Sequence, residues 1–160
     1  MQNEDKITAY WQAYLETLPK ELDKAALTYT AWAFGSGAEL ADELGALVVQ
    51  GTKTATLSVI WEYEAEGEAL PQIGELNIIL DGKGTPICII ETTEIEVKPF
   101  NQVDAQFAYD EGEGDRSFAY WRDAHWGYYQ RELAKIGKAP HPEMEVVCER
   151  FRVVYKSPSA

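Results

Sequence analysis

Apolar positions recur along this chain at two periods, and the switch between them divides it into elements. In residues 3–18, Ile7, Tyr10, Trp11, Tyr14, Leu15 and Leu18 return every three or four positions, the stripe of an amphipathic helix, and Pro19 stops it. Residues 21–29 predict a second, short helix, after which Tyr29, Trp32 and Phe34 lead into Gly35-Ser36-Gly37 as core aromatics. Ser36 with Glu39 three positions on has the form of a capping box, and Leu40, Leu44, Leu47 and Val48 carry a helix from there to Gln50. At Gly51 the period changes to two: Thr54, Thr56 and Ser58 fall on one face of a strand, and Ala55, Leu57 and Val59 on the other. Glycine suits such a corner because it enters the left-handed region without a Cβ clash.

That strand is expected to end near Trp61, and the acidic run Glu62-Tyr63-Glu64-Ala65-Glu66-Gly67-Glu68 reads as a solvated connection. Residues 74–80 and 86–97, on either side of Asp81-Gly82-Lys83-Gly84, make a β-hairpin. A helix from Asp104 gives way at Gly112 and Gly114, and either Asp115 or Ser117 caps a second helix running to about Lys135. On it Trp121, His125 and Tyr129 stand four residues apart, and Phe118, Arg122 and Trp126 repeat the spacing one position along, an aromatic stripe that reads first as core. Residues 145–155, rich in Val and aromatics, form a last strand. Strands separated by helices, with one hairpin, give an α+β domain with a mixed, curved or barrel-like sheet.

Two stretches concentrate polar side chains. Around the corner, Thr52, Lys53, Thr54 and Thr56 leave the chain within five residues. Lys53 is placed in the turn, where its side chain swings over the hydroxyl face. The plain reading is a helix end with a lysine answering the helix dipole. The sharper one is a pocket for a polar ligand, or a lysine that activates a threonine hydroxyl. In the second stretch Glu111, Glu113 and Asp115 are spaced by glycines, which lets the backbone bring carboxylates near another surface. His125 with Asp123 matches a metal pair in composition only. His141 is the only other histidine, Cys88 and Cys148 fall in strands, and no metal site is expected.

Composition narrows the partners. A length of 160 residues suits one domain with a full core. The formal net charge of −13, from 14 Lys+Arg against 27 Asp+Glu, disfavours a long track of duplex phosphates but leaves room for one nucleotide in a local pocket. No apolar run approaches the length of a membrane span, and the first residues lack a signal-peptide pattern. Two cysteines make no disulfide framework, so a cytoplasmic protein with reduced, packed thiols is expected.

Gly51-x-Lys53-x-x-Thr56, between a helix and a strand, resembles the signature of the ASCH domain, a branch of the PUA-like folds. Glu111-Gly-Glu-Gly-Asp115-Arg-Ser117, followed by Trp121, Arg122 and His125, resembles the matching segment of the longer bacterial ASCH proteins. The likeness runs over about residues 32–155. It implies an α+β, PUA-like small β-barrel flanked by helices over residues 29–156, with an added helical arm over 1–28 and a disordered tail over 157–160. It further implies a cleft at the Gly51 corner for a nucleoside, a nucleotide or a short single-stranded RNA, with no cofactor. Lys53, Thr54 and Thr56 would line that cleft, joined by Glu111, Glu113, Asp115 and Ser117. Trp121, stacking on a base, Arg122 and His125 would complete it.

Hydrolytic activities are also assigned within the family. A small branch deacetylates N4-acetylcytidine through a Lys, a Thr and a Glu, and another member is reported as a ribonuclease. Those three residues fall on Lys53, Thr56 and Glu111, while Glu113, part of an insertion that this branch lacks, competes for the glutamate's place. In such a hydrolysis Thr56 attacks, Lys53 takes its proton and Glu111 protonates the leaving amine. A free-base lysine near neutral pH needs its pKa brought down from about 10.4, at about 4 kcal/mol, and a crowd of carboxylates pushes the other way. With Lys53 charged, the same residues recognise a ligand without turnover. Three readings follow: a binding pocket, a hydrolase on that pocket, and a non-catalytic interaction module docking through Trp11 and Tyr14 of the first helix.

Overall fold

The computed structural model describes residues 3–157 and joins five strands by hydrogen bonds. They are β1 (Thr30–Trp32), β2 (Ala55–Val59), β3 (Leu76–Leu80), β4 (Pro86–Pro99) and β5 (Glu145–Lys156), in the order β1-β3-β4-β5-β2. β1 pairs with β3 in parallel, whereas β3–β4 and β2–β5 are antiparallel, so the sheet is mixed. The α-helices among the described residues are α1 (Asn3–Glu16), α2 (Ala38–Gln50), α3 (Ile60–Glu66), α4 (Ala105–Glu111) and α5 (Phe118–Ala134). None is long and apolar enough to cross a membrane. The chain forms two compact units, and β4 and β5 each contribute to both.

One unit takes the described residues of 1–51, 74–91 and 152–160. Its core sets Trp11, Tyr14 and Leu15 of α1 against Leu76, Ile78 and Ile89 of the hairpin. Trp11 and Tyr14 are therefore buried, not presented for docking as the interaction-module reading expects. The apolar face of α1 finds its partner inside the chain. Ser157, counted with the tail, is tied down by its N–H to the Ile87 carbonyl at 3.2 Å, and residues 158–160 lie outside the described residues. The helix expected over residues 21–29 shrinks to a 3-10 turn at Lys24–Ala26, and Thr30–Trp32 is extended instead. Thr30 and Trp32 both donate side-chain hydrogen bonds to Asn77 Oδ1, which fixes that strand's register. α2 starts at Gly37 without a side-chain cap, so the Ser36 capping box does not form. It ends, as expected, at a left-handed Gly51 with φ of 85°, whose N–H returns to the carbonyls of Leu47 and Val48.

The other unit takes residues 52–73 and 92–151. Its core packs Ala55, Leu57 and Val59 of β2 against Phe107 of α4 and Trp121 and Tyr129 of α5. The acidic run after β2 is helix α3 rather than an open connection. Glu62, three residues into it, accepts from the Val59 N–H at 3.0 Å and so starts the turn. Asp104 caps α4 by accepting from Phe107 N–H, and Ser117, not Asp115, caps α5 by accepting from Tyr120 N–H. Cys88 and Cys148 are free and buried, and burial pushes each thiol up to about 12, which leaves them unreactive.

Candidate functional site

Lys53 does not swing over the hydroxyl face. It keeps step with Ala55, Leu57 and Val59, the inward set of β2, and its side chain is 1% exposed. The cost of burying an ammonium is met by three acceptors. Nζ donates to Ala55 O at 2.8 Å, to Glu113 Oε2 at 2.9 Å and to Glu111 Oε2 at 3.3 Å. The backbone brings these carboxylates there by sewing α4 to the chain around Lys53. Thr54 N–H donates to Asp110 O at 2.8 Å, and Gly112 follows in the left-handed region with φ of 74°. A Cβ on Gly112 would stand 2.5 Å from Thr52 O, so only glycine lets the two segments close. Arg116, also left-handed at φ of 64°, donates from Nε to Tyr109 O and from Nη2 to Thr52 O at 3.5 Å.

His125 completes the cluster from α5. Nδ1 faces Trp121 O at 2.8 Å, and Nε2 faces Glu111 Oε2 at 3.2 Å. A carbonyl and a carboxylate can only accept, so the two contacts together favour the doubly protonated ring, the imidazolium. The charges agree. Burial alone would lower His125, but the Glu111 carboxylate beside it raises it above its ordinary value. Burial likewise pulls Lys53 down, and Glu111 and Glu113 outweigh it and hold it above the usual lysine range. Glu111, which burial would raise, is held far below the carboxylate range by Lys53 and His125. Glu113 ends raised, because burial and the Glu111 charge outweigh its own attraction to Lys53. The pair thus separates into one carboxylate fixed as an anion and one that keeps its proton to higher pH.

A measurable consequence follows for His125. Its folded-state pKa lies above the unfolded value of about 6.5, so its contribution to stability is complete below that pH and fades as pH rises through the folded value. An NMR titration of the imidazole should show a midpoint above 6.5, lowered by Glu111→Gln; a midpoint at or below 6.5 would contradict the pairing.

Glu111, Glu113 and His125 also offer three ligand atoms within 4.8 Å of one another, a spacing that suits a metal ion. The Lys53 ammonium, however, already stands as the cation between the two carboxylates. A divalent ion would have to displace it.

The cluster reaches solvent through two groups, Glu113 with its side chain 23% exposed and His125 with 12%. Other residues marked by the sequence lie elsewhere. Thr54 is exposed and donates to Asp110 O. Thr56 faces the other way along β2, opposite Glu149 of β5. Asp115 is exposed and accepts from Ser117 N–H, which serves the α5 cap. Trp121 is buried against the rings of Phe100, Phe118 and His125, at 5.3, 5.8 and 4.6 Å, so it has no face to offer a base. Arg122 is exposed, 5.9 Å over the Phe118 ring.

The exposed rings beside the cluster are ones that the sequence reading passed over. Tyr109, 49% exposed, carries the Arg116 guanidinium at 3.6 Å over its ring. Tyr120, 46% exposed, lies on Gly114, where a Cβ would meet its Cε1 at 2.2 Å. Both flank the glycine-spaced loop and were there to be read. A buried Thr92–Glu149 hydrogen bond of 2.7 Å was also missed; its signal was a glutamate inside the apolar run Val146-Val147-Cys148-Glu149-Arg150-Phe151.

The model of the ASCH domain family matches residues 30–155. A search of curated proteins finds no significant match. Among solved structures, the ASCH domain from Lactobacillus crispatus JV V101 is 34% identical, with 94% of this chain and 95% of that one covered at a TM-score of 0.88. A protein from Enterococcus faecalis V583 is 38% identical, with 95% and 90% covered at 0.85. A hypothetical protein at 15% identity and a TM-score of 0.53 is alike in fold alone. The fold is the α+β, PUA-like one that the sequence motifs implied. Residues 30–155 make the assignment, and the chain belongs to the ASCH domain family.

Proposed function

We propose that this protein binds a nucleoside, a nucleotide or a short single-stranded RNA at the solvent edge of the Lys53–Glu111–Glu113–His125 cluster. The observation that carries the reading is that edge itself: the Glu113 carboxyl and the His125 ring, both part-exposed, with the Lys53–Glu111 ion pair buried behind them. A carboxyl oxygen accepts from an exocyclic amino group such as cytosine N4. The two His125 nitrogens are engaged by Trp121 O and Glu111, so that ring offers a base its charge and its exposed edge rather than a hydrogen bond. Tyr109, with Arg116 on it, and Tyr120 offer rings for stacking, a contact of about 1–3 kcal/mol per base. The strong negative charge suits one or a few nucleotides and not a long phosphate track.

A hydrolase on the same edge is the second reading, favoured by the opposite shifts of two neighbouring carboxyls, Glu111 held far below the usual range and Glu113 raised above it. In that case Glu113 is the proton donor. Lys53, held as an ammonium, is no base, and Thr56 stands on the opposite face of β2 from it.

Calorimetric titration with cytidine, cytidine monophosphate and a short single-stranded RNA tests the reading. Saturable binding is expected, weakened about tenfold or more in Glu113→Ala and in His125→Ala, with a shallow salt dependence. No binding at millimolar ligand, or the same affinity in both variants, would overturn it. Release of acetate from N4-acetylcytidine that disappears in Glu113→Gln would move the assignment to the hydrolase.

A further inference from the structure

We infer that the open side of β4 over residues 92–98 is a self-association surface, on which a second copy of this chain adds antiparallel to make a two-fold dimer. β3 runs along β4 only as far as the Leu76–Glu91 pair, and β3 and β5 are the only strands beside β4 among the described residues. Past Glu91 the strand therefore keeps β5 on one side and has no strand on the other. Exposure changes with it. Cys88, Ile89 and Ile90 are buried, whereas Thr93, Glu94, Glu96 and Val97 are exposed, on both faces of the strand. A bare strand edge is a template for another strand.

Hydrogen bonds already made fix which groups that side presents. Phe151 N–H donates to Thr54 O across β2 and β5 at 3.1 Å, so Val147, Glu149 and Phe151 turn their backbone to β2. Val146, Cys148 and Arg150, the alternate residues, turn theirs to β4. The Phe100 N–H to Met144 O bond and the Glu94–Arg150 ion pair set Glu94, Glu96 and Lys98 opposite them. Ile95 and Val97 are thus left with N–H and C=O directed at the open side, and no turn or loop among the described residues bonds to either.

The segment is complementary to itself in one register. With the two-fold axis at Glu96, Ile95 pairs with the partner's Val97 and Val97 with the partner's Ile95, so every open N–H meets an open carbonyl. Glu94 then faces the partner's Lys98 on both sides of the axis. The two Glu96 carboxylates that meet on the axis each carry the Lys98 ammonium of their own chain at 2.7 Å. Other registers lose this match. An axis at Ile95 sets Glu94 against Glu96, and one at Val97 brings Pro99, which has no N–H, opposite Ile95. Apolar surface adds to the contact: Val97 is 40% exposed, and Ile73, at 69%, lines one groove with Glu94, Ile95 and Glu96. A contact of this size belongs with weak, reversible interfaces, so the dimer forms at high protein concentration.

Sedimentation equilibrium of the full chain, from about 10 µM to about 1 mM, reads the association. The mass should rise towards that of two chains, and the Ile95 and Val97 amides should exchange more slowly as it does. Glu94→Lys and Lys98→Glu should each weaken the dimer about tenfold or more, because each sets like charges across the axis. Mixed together, the two variants should recover it as one copy of each, a result peculiar to the register centred on Glu96. Ile95→Pro, which removes an outward N–H and leaves the β5 ladder intact, should abolish it with an unchanged circular dichroism spectrum. A monomer at every concentration overturns the inference and leaves the edge to an extended segment of some other protein. A dimer that keeps its affinity in all three variants overturns it too, since the contact then lies elsewhere. So does a mixture that pairs no better than its parts. None of these residues belongs to the Lys53–Glu111–Glu113–His125 cluster, so the proposed function stands or falls separately.

Discussion

Replacing Lys53 with alanine should cost about 3–5 kcal/mol of stability, read as a fall in the urea midpoint at unchanged slope. The loss comes less from the bonds removed than from what they leave behind. Glu111 is an anion with a 1% exposed side chain, and its Oε1 already has no partner. Without the ammonium its remaining counter-charge is His125, and Glu113 loses its charge partner as well. Lys53→Met combined with Glu111→Gln should recover most of the loss, since removing both charges of a buried pair is often neutral. The pH dependence has a definite sign. Glu111 is depressed in the folded state, so its pairing stabilises above about pH 4.5 and is lost as pH falls towards the folded value. The deficit of Lys53→Ala should therefore shrink in acid. A double variant as unstable as the single, or a deficit unchanged by pH, would contradict a charge-based origin.

Gly112→Ala should be comparably damaging although it adds one methyl group. The residue sits at φ of 74°, where an L side chain costs about 1–2 kcal/mol, and the new Cβ would stand 2.5 Å from Thr52 O. The atom in the way is backbone, so no rotamer change relieves it. The chain at Thr52-Lys53 and the end of α4 must separate, which breaks the 2.8 Å bond from Thr54 N–H to Asp110 O and withdraws Glu111 and Glu113 from Lys53. A loss of at least about 2 kcal/mol is expected, with the His125 titration moving down as Glu111 leaves. Gly67→Ala is the control: it is left-handed too, at φ of 67°, but has open space around it, so only the conformational cost applies. Equal losses at the two glycines would show that close approach at Gly112 is not what matters.

The elements legible in the sequence were those with a sustained period and chemical punctuation. α2 to Gly51, the β3–β4 hairpin and α5 from its serine cap all have both. Residues 21–29 and the acidic run after Val59 misled, because short polar stretches take their form from neighbours: Asn77 for β1 and the Val59 N–H for α3. Within the site, the glycine spacing of Glu111 and Glu113 pointed to carboxylates brought against another surface. The direction of Lys53 was not readable, since its turn placement and its strand parity favoured opposite faces and only the carboxylates decide between them. Trp121 had two readings, core from its stripe and a stacking face from the resemblance, and the structure decides for core. Its four-residue partners spoke for a helix stripe, and Phe100, from a distant 3-10 turn, buries it.

At the centre stands Lys53 as an ammonium clamped between Glu111 and Glu113, a state in which it is no base. A pH titration of the Lys53 Cε and Nζ resonances in selectively labelled protein tests this most directly, with Lys53→Met identifying the signal. A midpoint above the ordinary lysine value of about 10.5 is the predicted result. A midpoint near 7 would mean a neutral amine in the cluster and would contradict the account.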